Sequence, residues 1–355
     1  MKAALLTLSK RRAESMFLRI KVWLEEQGYD VDILSRCAKK DSMNINFVDI
    51  FTSNPNDYDE IYIVSTNLDF PGGVVNNFLF EKVRFLNKFK DQSKIFWYLV
   101  DPLYNLSDFG TKIKDRLHGK KPLKIVGKYE KELSIKECEL FSSNIKKWTI
   151  LFSGFDYKKY ESSLNDRKKY LVKTDNFINE PYLFRSYFKD RLKVLEEGSS
   201  IFNYDWSYYS LPNKNNRSKI LNEILNKSEY DLNGVYIGNV FKLDSGSGSV
   251  KNYPMMRSYD LIYHIKSSVC TIIIGDDAHN DNWVTFRLYE SIIFGTLPMI
   301  YSDFDSKRRI FKDPEIKKYC YFNSYEELKE NINLLKDFDL RNNLTKKIKS
   351  ELFNI

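Results

Sequence analysis

Cysteine is scarce in this 355-residue chain: Cys37, Cys138, Cys270 and Cys320 stand far apart, and Cys270 sits in an apolar run. That spacing excludes a disulfide framework and a zinc-ribbon site, and it suits a reducing cytoplasm. Histidine is scarcer still, with three in the whole chain, so no histidine–carboxylate cluster offers a dedicated metal cage. No apolar stretch approaches the roughly 20 residues needed to cross a bilayer. The opening Met1-Lys2-Ala3-Ala4-Leu5-Leu6 reads as a core strand, too short for a secretory signal. A soluble, intracellular protein without a membrane partner is expected. Glycine is missing where a dinucleotide-binding enzyme would need it: Leu8-Ser9-Lys10-Arg11-Arg12 occupies the first turn in place of Gly-x-Gly-x-x-Gly, which argues against nicotinamide. Internal repeats and long low-complexity tracts are absent; residues 244–249 form one short Ser/Gly loop. The charge of +8, from 56 basic and 48 acidic residues, suits a polyanionic partner and equally a merely lysine-rich composition.

What is present is ample for two cores, with 43% hydrophobic and 15% aromatic residues. Strand-like runs at Lys2–Leu8, Asp30–Leu34, Ile61–Ser65, Ile95–Val100, Ile125–Gly127 and Trp148–Phe152 alternate with helical patterns near Ala13–Gln27 and Asn76–Phe89. This is the βαβ alternation of a mainly parallel sheet covered on both faces. Asp156 to Asp190 is polar, charged and aromatic without a period, and reads as the crossing between domains. A second series follows: strands at Ser200–Tyr204, Gly234–Ile237, Thr271–Ile274 and Leu297–Tyr301, with helices at Arg217–Leu225, Ser258–Ser267 and Trp283–Phe294. The expectation is an α/β protein of two Rossmann-like domains, 1–185 and 186–355.

The most informative stretch is Ile272-Ile273-Ile274-Gly275-Asp276, then Asn280-Asp281-Asn282, Arg287, Glu290, Gly295 and Pro298. A β-branched run ending in Gly-Asp is a buried parallel strand whose carboxyl end meets solvent, where α/β sheets place ligands. Arg287 and Glu290 lie three apart, so they share a face near the amino end of the next helix, where the dipole and free N–H groups favour phosphate. The arginine can fork onto a diphosphate and the glutamate can accept ribose hydroxyls. The pair reads equally as a surface ion pair if position alone is considered. A nucleotide motif late in the second of two such domains is the GT-B arrangement of glycosyltransferases, with the donor in the second domain, the acceptor in the first and a cleft between them.

The same residues carry a resemblance over most of the chain. It is strongest from Ile272 to Arg309, including Thr285 and Asp303-Phe304-Asp305-Ser306-Lys307-Arg308-Arg309. Further blocks are Asn56-Asp57-Tyr58-Asp59 with Phe70-Pro71-Gly72-Gly73, and Tyr98-Leu99-Val100-Asp101. In these the chain resembles the DNA β-glucosyltransferases of T-even bacteriophages, which move glucose from UDP-glucose to hydroxymethylated cytosine in duplex DNA. The resemblance implies an inverting single displacement with Asp101 as general base, although Asp101-Pro102 taken alone also reads as a strand-ending turn. It implies that Arg287 holds the phosphates and Glu290 the ribose. By the same resemblance Asp276 and Glu14 match acidic positions near the donor sugar, Glu180 matches an acidic position lining the cleft, Ile237 and Tyr253 fall in the uracil-contacting stretch, and His279 replaces an aromatic hydroxyl. Of a phosphate-binding arginine pair, Arg217 aligns, and Lys214 stands for the other with a point charge in place of a fork.

The basic run Lys112, Lys114, Arg116, His118, Lys120, Lys121 and Lys124, with Gly72 and Gly73, is the expected DNA contact; without the resemblance it reads as a solvated lysine face. The modified nucleotide would have to leave the stack to reach Asp101. Mg²⁺ or Mn²⁺ is implied, held loosely through the diphosphate. A monomer is expected, working in the host cytoplasm if phage-encoded. The end of the chain soon after Leu352 is earlier than expected if a last helix is to return to the first domain. Two alternatives stay open: a GT-B enzyme with another sugar or a glycan or lipid acceptor, and a DNA-binding module without chemistry.

Overall fold

The computed structural model describes residues 1–6, 14–35, 47–64, 77–98, 134–158, 175–192, 202–209, 216–225, 231–238, 250–254, 258–275 and 279–355. The chain divides into two compact units, Met1–Tyr187 and Phe188–Ile355.

In the first unit, strands β1 (Lys2–Leu6), β2 (Asp30–Ser35), β3 (Phe47–Asp49), β4 (Glu60–Val64), β5 (Ile95–Tyr98), β6 (Thr149–Phe152) and β7 (Phe177–Asn179) form one sheet in the order β3-β2-β1-β4-β5-β6-β7. Every pairing is parallel. Residues 3–6 of β1 and all of β4 are buried, as expected of strands covered on both faces. Helices α1 (Glu14–Glu26), α2 (Asn77–Lys88) and α3 (Ile135–Ile145) supply that cover. Gly28, at φ +85°, ends α1 and turns the chain into β2, a conformation that only glycine adopts cheaply. A reciprocal capping box of Ser134 and Glu137 opens α3, and Arg84 Nε of α2 donates to Glu137 Oε1 at 2.8 Å, which ties the two helices together.

The second unit holds β8 (Tyr204–Tyr209), β9 (Gly234–Ile237), β10 (Val250–Tyr253), β11 (Ser268–Ile273), β12 (Leu297–Tyr301) and β13 (Tyr321–Phe322), all parallel, in the order β10-β9-β8-β11-β12-β13. Its helices follow the chain's last residues of the first unit through α4 (Arg185–Leu192), then α5 (Asn216–Leu225), α6 (Ser258–Lys266), α7 (Phe286–Ile293), α8 (Pro314–Tyr319), α9 (Tyr325–Leu335) and α10 (Phe338–Phe353). The last helix, α10, packs on α7, α8 and α9 of its own unit.

One reading of the sequence needs correction. The strand expected at Ser200–Tyr204 begins at Tyr204, because the register pairs Trp206 with Cys270 and Ser207 with Thr271 and joins the two buried hydroxyls at 3.0 Å. Gly234 faces that strand so closely that a Cβ would lie 2.0 Å from the Trp206 ring. The stretch Asp156–Asp190, read as the crossing between domains for its lack of a clear period, contains β7, the start of α4 and the division between the two units. Three residues of edge strand are too few to show a period; their conformation comes from pairing with β6. β3, β10 and β13 were unread for the same reason. The expected strand at Ile125–Gly127 lies outside the described residues.

In both sheets the order of strands reverses direction, between β1 and β4 and between β8 and β11. Ligands of open parallel sheets settle beyond the carboxyl ends of the strands at such a point.

Candidate active site

β11 is buried along its whole length and delivers Ile274 and Gly275 to the carboxyl edge of the second sheet. A Cβ on Gly275 would lie 2.2 Å from Asn280 Oδ1 and 2.6 Å from Phe304 Cδ2, so glycine is required here for space. The loop beginning at His279 therefore presses directly on the strand end. Asp281, at φ 59°, donates its N–H to the Phe304 carbonyl at 2.8 Å, and its carboxylate accepts the Ser306 N–H at 2.6 Å. Arg309 donates to the Asp281 carbonyl. Asp305 is 2% exposed; its carboxylate accepts the N–H groups of Arg309 and Ile310, each at 2.9 Å, and the Tyr321 hydroxyl at 2.7 Å. The Asp303–Arg309 run is thus a buckle that fixes the loop leading into α7.

α7 starts at Phe286 with Thr285 as its N-cap, in extended conformation, yet the Thr285 side chain makes no capping bond. Arg287 and Glu290 follow one turn apart, and two consecutive tyrosines of β8 hold them. The Tyr209 hydroxyl donates to Glu290 Oε2 at 2.7 Å. The Arg287 guanidinium lies 5.5 Å from the Tyr208 ring centre and 3.5 Å from the Tyr209 carbonyl. Burial works against the charge on Arg287, but the tyrosine oxygens and Glu290 more than offset it and push its pKa further up. Arg287 is therefore a permanent cation beside an open helix amino end. The buried atoms Asn280 Oδ1 and Thr285 Oγ1 have no hydrogen-bond partner among the described residues. Each such atom costs about 1–3 kcal/mol. Two of them, one in the loop that presses on the strand end and one at the cap of the helix that bears Arg287, fit a polar ligand that completes their bonding.

Arg217, in the first turn of α5 and 8% exposed, places Nη2 at 3.3 Å from His279 Nδ1. A guanidinium only donates, so in this contact His279 accepts at Nδ1. The structure thus joins two candidates 62 residues apart at the same sheet edge. Ile237 is fully buried with Tyr204, Tyr209, Val235 and Ile265, and Tyr253 packs on that cluster with its ring 4.4 Å from His264. Both side chains serve the core; the neighbouring Gly238 N–H donates to the Tyr253 carbonyl at 2.9 Å. Glu180, half-buried just past β7 in the first unit, has its carboxyl pKa raised by burial, with Arg185 pulling the other way.

Asp101, Asp276, Lys214, Gly72, Gly73, Lys112, Lys114, Arg116, Lys120 and Lys121 lie outside the described residues, as does the side chain of Glu14, which falls in the first turn of α1. No reading of the sequence singled out Tyr208 or Tyr209. A strand drawn through Tyr209 would have carried both to the carboxyl edge. Among the described residues no three His, Cys, Asp or Glu side chains converge as a metal cage. A cation at this site would have to be held chiefly by the ligand's own phosphates.

No protein-family model matches the chain. It is similar to the DNA beta-glucosyltransferase of Enterobacteria phage T4, with 24% identity over 352 residues, covering 93% of this chain and 86% of that protein. A solved structure of a mutant T4 phage glucosyltransferase in complex with UDP-glucose matches with a TM-score of 0.70 at 19% identity, covering 100% of this chain and 95% of that one. A T4 phage structure in complex with UDP and Mn²⁺ matches at 0.66 and 20% identity, again over 100% and 95% of the two chains. The fold of this chain is theirs.

Proposed function

We propose that this chain is a UDP-glucose-dependent glycosyltransferase that places glucose, with inversion, on the hydroxymethyl group of a modified pyrimidine, 5-hydroxymethylcytosine, in duplex DNA. The observation that carries the reading is the Arg287–Glu290 pair, set at the switch point of the second sheet in a chain that matches a DNA glucosyltransferase nearly end to end. On this reading residues 186–355 bind the donor and 1–185 the acceptor DNA, and the protein acts as a monomer in the host cytoplasm. Among the described residues no helix is long and apolar enough to cross a membrane.

The chemistry follows from charge. Arg287 and the amino end of α7 attract the diphosphate, and Glu290 accepts hydrogen bonds donated by the ribose hydroxyls. Arg217, steadied by His279, adds a second cation at the same edge. Asp101 lies three residues beyond the last residue of β5, Tyr98, and takes the proton of the acceptor hydroxyl as its oxygen attacks the anomeric carbon. The bond from that carbon to the diphosphate breaks and its electron pair leaves with UDP, where Arg287 neutralises the gathering negative charge. A divalent cation travelling with the diphosphate would add to that neutralisation.

The test is to incubate the protein with UDP-glucose and duplex DNA containing 5-hydroxymethylcytosine, digest the DNA and weigh the nucleosides. A glucosylated nucleoside is expected, and its absence alongside transfer to a glycan would overturn the reading. Asp101→Asn should lower transfer by roughly 10²–10⁴-fold while UDP still binds; unchanged transfer would remove Asp101 from the mechanism.

A further inference from the structure

We propose that Tyr209 is a positioning residue that aims the Glu290 carboxylate and thereby makes the site select a ribonucleotide over its 2′-deoxy counterpart. The inference rests on the donor reading above and deepens it, by naming what gives the nucleotide pocket its preference for one sugar.

The argument begins with the freedom of a glutamate. Glu290 has three side-chain torsions and stands one helical turn from the half-buried cation Arg287, toward which an unanchored carboxylate is free to swing. In the structure each makes its own contact on β8. Arg287 leans over the Tyr208 ring, and Glu290 Oε2 receives the Tyr209 hydroxyl at 2.7 Å. Tyr209 cannot drift, because its ring is 7% exposed within the cluster of Tyr204, Val235, Ile237 and Ile265, with Phe294 packed alongside. A phenol is a good anchor for this purpose: it has two torsions, both fixed by packing, and one proton to give.

The bond has a chemical consequence. A carboxylate oriented by one hydrogen bond from the protein presents its other lone pairs in a fixed direction to incoming donors. It repels phosphate and rewards hydroxyl donors, and a ribose brings two on adjacent carbons where deoxyribose brings one. A site built to bond a hydroxyl discriminates strongly against the analogue that lacks it, because the site's own polar group is then stranded.

The test compares binding of UDP and 2′-deoxy-UDP, by calorimetry, to the wild type, Tyr209→Phe, Glu290→Ala and the double variant. The wild type is expected to favour UDP by roughly tenfold or more. In Tyr209→Phe the affinity for UDP should fall by about fivefold to tenfold and that for 2′-deoxy-UDP by less than about twofold, so the preference shrinks. With UDP-glucose the loss should appear in KM and leave kcat nearly unchanged. Adding Tyr209→Phe to Glu290→Ala should cost nothing further, because the phenol acts through the carboxylate. Equal weakening of both nucleotides in Tyr209→Phe, or additive losses in the double variant, would reduce Tyr209 to a packing residue and overturn the inference alone. A wild-type protein that binds neither nucleotide would overturn the donor reading, and this inference with it.

Discussion

Replacing Gly275 with alanine tests the strand end on which the candidate site is built. The new methyl would meet Asn280 Oδ1 at 2.2 Å and Phe304 Cδ2 at 2.6 Å, both inside the distance at which carbon contacts turn repulsive. The two neighbours differ in what they can yield. Asn280 is half-buried and its amide can swing aside, but the Phe304 ring is 1% exposed and sits under the backbone bonds that Asp281, Ser306 and Asp305 make around it. Backbone must therefore move. Overpacking of this kind costs about 1–3 kcal/mol, and a pinned ring places Gly275→Ala in the upper half of that range, about 2–3 kcal/mol. For a unit the size of Phe188–Ile355 each kcal/mol lowers Tm by roughly 2–4 °C, so a loss of about 4–12 °C is expected by calorimetry. The displaced loop ends at Thr285 and leads into the helix that bears Arg287, so UDP affinity should fall together with Tm. Asn280→Ala in the same background should recover part of the stability, leaving the share due to Phe304. A variant that melts within about 1 °C of the wild type and binds UDP normally would refute the close approach, and with it the account of how the loop is held.

Arg287→Lys should weaken UDP binding by roughly 10–100-fold although it keeps the charge, since an ammonium can neither lie flat over the Tyr208 ring nor present two parallel donors to a diphosphate; lysine binding as well as arginine would show that charge alone matters. Burial raises the Glu180 carboxyl pKa, so the folded state binds that proton more readily than the unfolded chain and pays to ionise it as pH rises through the folded value. Glu180→Gln should therefore be more stable than the wild type at neutral pH, with the advantage shrinking as pH falls and gone below the ordinary glutamate range near about 4.3. Melting curves at the two pH values decide it, and a gap that is the same at both would mean that burial does not govern this group.

The parts of the site legible in the sequence are those whose signal is local. Ile272 to Gly275 reads as a buried strand because four consecutive residues carry the pattern, and Arg287 and Glu290 read as one face because helical spacing places them there before any tertiary contact forms. The buckle of Asp303 to Arg309 was visible as part of a resemblance but silent about its work, since Asp305 acts by accepting two backbone N–H groups and a hydroxyl 16 residues away. Tyr208 and Tyr209 escaped notice for a plainer reason. Their strand was drawn too early, and nothing near them in the chain points to Glu290, which lies 81 residues further on.

Residue order and spacing were enough to set the class of fold, the two alternating series and the strand, loop and helix that bear Arg287 and Glu290, because periodicity and turn chemistry act over a few residues. Strand adjacency obeys a different physics. That β8 lies beside β11, so that a phenol meets a carboxylate and a guanidinium rests on an aromatic ring, depends on which buried surfaces fit together once the sheet assembles, and hydrogen bonds between strands carry no mark in the chain that precedes them.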